Sequence, residues 1–301
     1  MLECKERILD FFSVLDAGLP DLTRERAFSF ARHTTIGCGG TAAAALCPAG
    51  TEETAKALSF LKKEGIPYCF LGAGANVLPA ECNFEGAVVR FCAIKTLFAY
   101  GTHVFAGAGV TLGALVKFTR ERALSGFEPL TGIPASVGGA TVMNAGVSDR
   151  HMSDLIEKVV AVEDGKILLL DPRECAFSEK RSLFQKGVAV TGVLLRGVRS
   201  EKERIAREIR RYRAKRAALP KGRSMGCVFV NPESCPAGKL LDECGLKGRR
   251  IGGAYVSREH ANFILNEGGT STDVALLVAE MKREVYAKTG ILLREEIRYI
   301  P

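Results

Sequence analysis

The sequence predicts an α+β protein of two parts, a larger N-terminal one and a smaller C-terminal one. Three observations carry this reading. The chain has 301 residues, more than the roughly 100–200 of one typical domain. Short apolar runs that read as strands are interrupted by a few helical patterns rather than alternating with them strictly. A charged helical stretch followed by Pro220-Lys221-Gly222 then divides the chain, because Pro and Gly end a helix. The boundaries expected are a helical N-terminal extension over 1–33, a main domain over 34–200 (halves at about 34–92 and 93–200), and a C-terminal domain over 201–301 that includes a linker helix at 201–217.

The elements follow in order. Residues 3–18 place Ile8, Leu9, Phe12 and Leu15 at helical spacing, which predicts a helix. Thr51 reads as the N-cap of a helix running to about Lys63, ended by Gly65 and Pro67. Tyr68–Leu71 reads as a buried strand entering a glycine loop. Strands are also expected at 87–91 and 104–106, the latter leading through Gly107-Ala108-Gly109 into a helix near 112–123. Apolar runs at 159–162 and 167–170 flank Asp164-Gly165, the signature of a type I′ hairpin, which needs positive φ at both central residues. Residues 188–196 form another strand. Ile205, Ile209 and Tyr212 make one stripe on the helix at 201–217. A short helix is expected at 238–244 and a strand at 261–266. A long helix at 271–289 starts from Thr270-Ser271-Thr272-Asp273 and stops at Gly290. Arg294 to Arg298 reads as a final strand, with Glu296 and Arg298 on one face by alternation.

Composition narrows the function classes. An apolar share of 47% and a charged share of 25% are ordinary for a soluble globular protein. No apolar run approaches the ~20 residues that span a bilayer, and no signal peptide is expected, so the cytoplasm is the expected location, without a membrane partner. The net charge of +8 is concentrated at 201–216, where eight Lys or Arg face three Glu. No base-reading motif accompanies this stretch, so a solvated inter-domain helix is expected and nucleic acid is not. The ten cysteines are scattered without a Cys-x-x-Cys pair. Zinc is therefore not expected, disulfides are disfavoured, and buried thiols are expected except at Cys227.

Four small-residue segments stand out. They are Thr34-Thr35-Ile36-Gly37-Cys38-Gly39-Gly40, Gly72-Ala73-Gly74-Ala75-Asn76, Gly132 to Gly146, and Gly226-Cys227-Val228-Phe229-Val230-Asn231-Pro232. The first three are either packing turns or a groove whose backbone N–H groups hold a pyrophosphate. Gly107 to Gly113 nearly matches the Rossmann fingerprint, but Glu128 follows no convincing strand, so a strand-to-helix turn is favoured. Cys227 is either a buried thiol or a proton donor, a free thiol having a pKa of about 8.5. Glu296 belongs to a surface salt-bridge ladder or to a site.

From about Thr34 to Ile300 these segments, with Gly245-Leu246-Lys247-Gly248, Ile251-Gly252-Gly253-Ala254 and His260-Ala261-Asn262-Phe263, resemble the UDP-N-acetylenolpyruvoylglucosamine reductase family. The resemblance implies an FAD-binding fold of the vanillyl-alcohol-oxidase (PCMH) type with two subdomains, plus a C-terminal α+β substrate domain, in the family's shorter form. It implies FAD held by Thr35, Gly37, Gly39, Gly40, Gly72, Ala73, Gly74, Ala75, Asn76, Val77, Ile133, Pro134, Ser136, Val137, Gly138, Gly139, Asn144 and Gly146. It implies NADPH as reductant and UDP-N-acetylglucosamine enolpyruvate as substrate, reduced to UDP-N-acetylmuramate by a monomer.

Cys227 falls where the family has a proton-donating Ser, and Glu296 on the catalytic Glu. The family's Tyr-Arg-x-Ser motif reads Glu179-Lys180-Arg181-Ser182 here. Lys180 thus takes the place of the catalytic Arg, keeping the charge but not the planar fork. Arg181 is its alternative, expected on the opposite face of an extended segment. Ser182, Asn231, Lys239, His260, Asn262 and Arg298 are the implied substrate contacts, and Val230 stands where a Lys is usual. The alternatives are a flavin oxidoreductase of the same fold with another substrate, and a weakened homologue that only binds FAD or a UDP-sugar.

Overall fold

A computed structural model describes residues 11–147, 150–233 and 235–301. Residues 11–18 are helical; the rest of the helix expected at 3–18 lies outside the described residues. The chain forms two compact units. The first comprises Met1–Phe28, Ala42–Gly72 and Glu85–Ala206, and the second Ser29–Thr41, Ala73–Phe84 and Arg207–Pro301.

The first unit is built on two sheets. One has the strand order Lys166–Leu170, Ile156–Glu163, Ala189–Arg196, His103–Gly107, Leu97–Tyr100, antiparallel throughout. The other runs Arg24–Ser29, Thr41–Leu46, Phe84–Arg90, Tyr68–Leu71, with its last pair parallel. The helix Thr51–Lys63 buries Ala55, Ala57, Leu58 and Leu61 in one core with Ala44, Leu46, Ala87, Val89, Val162 and Ala189. That apolar stripe at helical spacing is what holds helix to sheet. Its N-cap is Gly50 rather than Thr51; the Thr51 hydroxyl instead donates to that of Thr191 at 2.9 Å. The hairpin forms as expected, with Glu163 opposite Lys166 and positive φ at both Asp164 and Gly165. His103–Gly107 leads into the helix Leu112–Glu121, whose N-cap Thr111 accepts from the Ala114 amide. Its neighbours in the sheet are antiparallel, so no Rossmann βαβ unit forms. The buried Glu128 carboxylate accepts from the Ser125 hydroxyl at 2.8 Å and the Gly126 amide at 2.7 Å.

The second unit carries an antiparallel sheet in the order Ser224–Cys227, Phe263–Asn266, Ala254–Val256, Arg250–Ile251. The helix Ser271–Thr289 contributes Val274, Leu277, Val278, Met281 and Val285 to the core with Leu240, Leu241 and Ile264. Its expected signals operate: Thr270 and Asp273 cap each other's backbone and Gly290 is left-handed. The charged helix spans Lys202–Ala217 and the short one Ala237–Glu243. The strand expected over 294–298 does not form. Glu295 makes a single bridge to Phe229, and the strand proper is Arg298–Ile300, parallel to Val77–Pro79. Glu296 precedes it, so alternation says nothing about Glu296 and Arg298.

No helix among the described residues is long and apolar enough to cross a membrane. The thiols depart from expectation: Cys38, Cys175 and Cys244 are buried, but Cys47, Cys69 and Cys235 are only partly so and Cys82 and Cys92 are exposed.

Candidate active site

In the first unit the small-residue segment 132–146 forms a short helix, Val137–Val142, capped by Ser136, whose hydroxyl accepts from the Gly139 amide at 3.3 Å. The Val137 amide donates to Val110 and that of Gly138 to Ala108. Three amides expected to face a phosphate are thus used inside the fold. The loops are in close contact: a Cβ on Gly138 would lie 2.8 Å from that of Ala108, and one on Gly72 would lie 3.1 Å from the Ser136 hydroxyl. Ile133 and Pro134 lie in the turn ahead of this helix, the Ile133 amide donating to Leu130. Gly146 pairs with His151 in a two-residue ladder.

The cationic segment is a tight turn, not an extended one. Ser178 and Arg181 exchange both backbone hydrogen bonds. Lys180 sits at the third position with φ 57°, a left-handed conformation costing a non-glycine residue roughly 1–2 kcal/mol. Three side chains hold the turn against that cost. Asn144, buried, donates to the Ser178 carbonyl at 3.1 Å and accepts from the Ser153 amide at 2.9 Å. Ser182 donates to the Val142 carbonyl at 2.7 Å. Gln185 donates to the Lys180 carbonyl at 2.8 Å. Asn144 and Ser182, expected to touch ligands, are thereby committed to positioning Lys180. Gln185 has no sequence signal; its role exists only because the turn folds onto the end of the helix.

In the second unit the Thr35 amide donates to Gly74 at 2.9 Å and its hydroxyl to Ser224 at 2.6 Å. Gly74 has φ 69°, and a Cβ there would lie 2.3 Å from the His33 carbonyl oxygen, so only glycine fits. Among the described residues, the amides of Ile36 to Gly39 and of Ala73 to Asn76 donate to no backbone or side-chain acceptor. Rows of unaccepted N–H groups in Gly-rich loops suit an anionic group such as a pyrophosphate, so the residues present fit the diphosphate of FAD.

Cys227 ends the strand Ser224–Cys227, after a register shift and with Gly226 at φ 77°. The segment behind it is held by Asn262, whose carboxamide accepts from the Phe229 amide at 2.9 Å and donates to the Phe229 carbonyl at 2.8 Å. The Glu296 amide donates to Val228 at 2.8 Å. The Asn76 side chain donates to the Glu296 carbonyl at 3.0 Å, and the Arg298 amide donates to Asn76 at 3.0 Å. Asn76, the segment Glu296–Arg298 and Val228, the residue after Cys227, therefore share one hydrogen-bond network.

The remaining expected contacts have structural partners. Asn262 is buried, and its carboxamide holds both backbone groups of Phe229. His260 accepts from the Asn262 amide through Nδ1 at 3.2 Å and packs edge-on against Phe263. Burial, and secondarily Lys247, lowers its pKa. Asn231 accepts from the Ala237 amide. Lys239 is exposed and pairs with Glu243 at 3.7 Å. Val230 is buried in the core, so no cation replaces the usual Lys there. Arg216, read from sequence as part of a solvated helix, lies within electrostatic reach of Cys227. Its Nε is buried with no protein partner among the described residues. Burial lowers its pKa and Cys227 opposes the shift.

Replacing Asn262 with alanine leaves the Phe229 N–H and C=O buried without partners, at ~1–3 kcal/mol each. A loss of about 2–5 kcal/mol in urea unfolding is expected; a loss below about 1 kcal/mol would show that water replaces the carboxamide freely.

Residues 42–170 match the family model described as FAD binding domain, and residues 218–300 that of the UDP-N-acetylenolpyruvoylglucosamine reductase C-terminal domain. The α+β fold is thus an FAD-binding domain followed by that C-terminal domain. The UDP-N-acetylenolpyruvoylglucosamine reductase of Geobacter metallireducens is 36% identical over 275 residues, 90% of this chain and 91% of its own. That of Caldanaerobacter subterraneus is 35% identical over 275 residues, 89% and 91% respectively. The crystal structure of the Thermus caldophilus reductase matches with a TM-score of 0.80 at 34% identity, covering 93% of this chain and 99% of that one. With its site segments, its two domain matches and these relatives in agreement, the chain belongs to the UDP-N-acetylenolpyruvoylglucosamine reductase family.

Proposed function

We propose that this protein is an FAD-dependent, NADPH-oxidising reductase that converts UDP-N-acetylglucosamine enolpyruvate to UDP-N-acetylmuramate, as a monomer in the cytoplasm, for peptidoglycan precursor synthesis. The observation that carries the reading is the backbone network joining Asn76, Glu296 and the segment after Cys227, beside two loops of unaccepted amides. In this reading residues 34–200 serve FAD and residues 201–301 the substrate.

The amides of Ile36 to Gly39 and Ala73 to Asn76 hold the diphosphate of FAD, flanked by Thr35, Gly40 and Val77, and Gly72 with Ile133 to Gly146 line its ring system. When bound, FAD carries a hydride from NADPH to the β-carbon of the enolpyruvyl group. Cys227 delivers the proton to the α-carbon, as general acid. Lys180 and Glu296 act on the charge that develops there, an electrostatic contribution made largest by groups fixed in advance; the pinned Lys180 turn meets that requirement. Arg298 and Asn231 meet the substrate's polar groups.

The purified protein is expected to be yellow, with about one FAD per chain released by acid, since the cysteine in these glycine loops, Cys38, is buried and accepts from the Ser271 hydroxyl. Enolpyruvyl substrate should accelerate NADPH oxidation. Colourless protein that ignores added FAD would sink the proposal. A second reading, a weakened FAD- or UDP-sugar-binding homologue, is favoured by Lys180 in place of Arg and by buried Val230. It requires FAD binding without substrate-stimulated turnover.

A further inference from the structure

We propose that Cys47 and Cys92 form a dithiol that hydroperoxides oxidise to an intramolecular disulfide. Cys47 directly follows the strand Thr41–Leu46, and Cys92 lies two residues beyond Phe84–Arg90, its neighbour in the sheet. Adjacent strands lie about 4.8 Å apart, within the roughly 4.4–6.8 Å between Cα atoms that a disulfide spans. The two thiols interact electrostatically. Backbone bonds from Cys47 to Thr23 and from Ile94 to Phe91 fix the chain at both places. Both cysteines lie just beyond their strands, so the bond would join the two chain segments outside the strand pairing itself.

The pair is asymmetric in a way that orders the chemistry. Cys92 is exposed, whereas Cys47 is partly buried. Burial, and next the Cys92 thiol, push the Cys47 thiol up to about 11, while Arg90 works against that rise and Glu25 with it. Arg90 ends the strand Phe84–Arg90, 3.7 Å from Glu25, with its Nε buried and no hydrogen-bond partner among the described residues. Cys92 is the sulfur that meets the oxidant. It takes one oxygen from hydrogen peroxide, becoming a sulfenic acid and releasing one water. The Cys47 sulfur then attacks the Cys92 sulfur, with the Arg90 guanidinium favouring its thiolate. The S–S bond forms and the hydroxyl leaves with the Cys47 proton as a second water. Two thiols lose two electrons and two protons in all, and one peroxide becomes two waters.

Cys82 is exposed as well, so it reports what exposure alone does. The test treats full-length, FAD-loaded protein with near-stoichiometric hydrogen peroxide, blocks remaining thiols with a maleimide, and locates every cysteine by peptide mass spectrometry. Cys47 and Cys92 are expected to leave the thiol pool together as one cross-linked peptide, lighter by two hydrogens and restored by dithiothreitol. Cys92→Ser should abolish the cross-link and leave Cys47 reduced. Cys47→Ser should stop Cys92 at a sulfenic acid that dimedone traps, and Cys82→Ser should change neither result. Recovery of Cys47 and Cys92 as thiols while Cys82 is oxidised would overturn the proposal, as would a cross-link that joins two chains.

Discussion

Alanine at Cys227 is expected to slow reoxidation of the reduced flavin by the enolpyruvyl substrate by two to four orders of magnitude, the span of lost general acid catalysis. Reduction of the flavin by NADPH should stay nearly unchanged, because that step needs no proton from this residue. Cys227→Ser should retain activity, since a hydroxyl in the same position still donates a proton. The thiol stands at the end of a strand whose register shifts just before it, and Asn262 and Glu296 hold the chain immediately beyond. Its position is therefore set by backbone bonds that the substitution leaves in place. Stopped-flow measurement of each half-reaction separates the two steps. Unchanged substrate turnover in the alanine variant would make Cys227 only a packing residue.

The second large effect is expected at Lys180. Lys180→Ala should slow the substrate half-reaction by roughly a hundredfold or more, as for loss of one fixed charge-stabilising donor, and Lys180→Arg should be tolerated. The turn supplies a control for structure. Lys180 has φ 57°, so glycine should match or exceed lysine in stability, by about 0.5–1 kcal/mol. Lys180→Gly should therefore lose rate without losing stability. Arg181, the residue that closes the turn, should tolerate alanine. A damaged Arg181→Ala with an unaffected Lys180→Ala would reassign the charge to Arg181, and near wild-type rates in both would mean the site uses neither cation.

Local signals account for most of what was legible beforehand. The Asp164-Gly165 hairpin, the strand Tyr68–Leu71 and the helix Ser271–Thr289 form where their turn, apolar and capping residues place them. Each depends on chemistry within a few residues: positive φ at a two-residue turn, a Thr/Asp box, a left-handed glycine stop. The errors arise where a longer contact overrides a local pattern. Alternation over 294–298 suggested a strand, but the chain there answers to Val228, Phe229 and Asn76 in turn. Extended geometry at Lys180 gave way to a turn because Asn144, Ser182 and Gln185 offer it hydrogen bonds from other segments. Arg216 looked like one more surface charge, yet it reaches Cys227 only because the chain turns back after Pro220.

By itself the sequence determined the α+β class and the positions of the glycine loops. Those are properties of residue type and short spacing, and they survive any rearrangement of distant segments. Tertiary structure alone decided which polar groups remain available. It committed Asn144, Ser182 and Asn262 to holding other residues, left the amides of Ile36 to Gly39 and Ala73 to Asn76 without acceptors, and put Cys47 beside Cys92. The physical reason is that a buried donor or acceptor must find a partner, and that partner is chosen by packing among distant segments, as with Asn76 and Glu296, 220 residues apart.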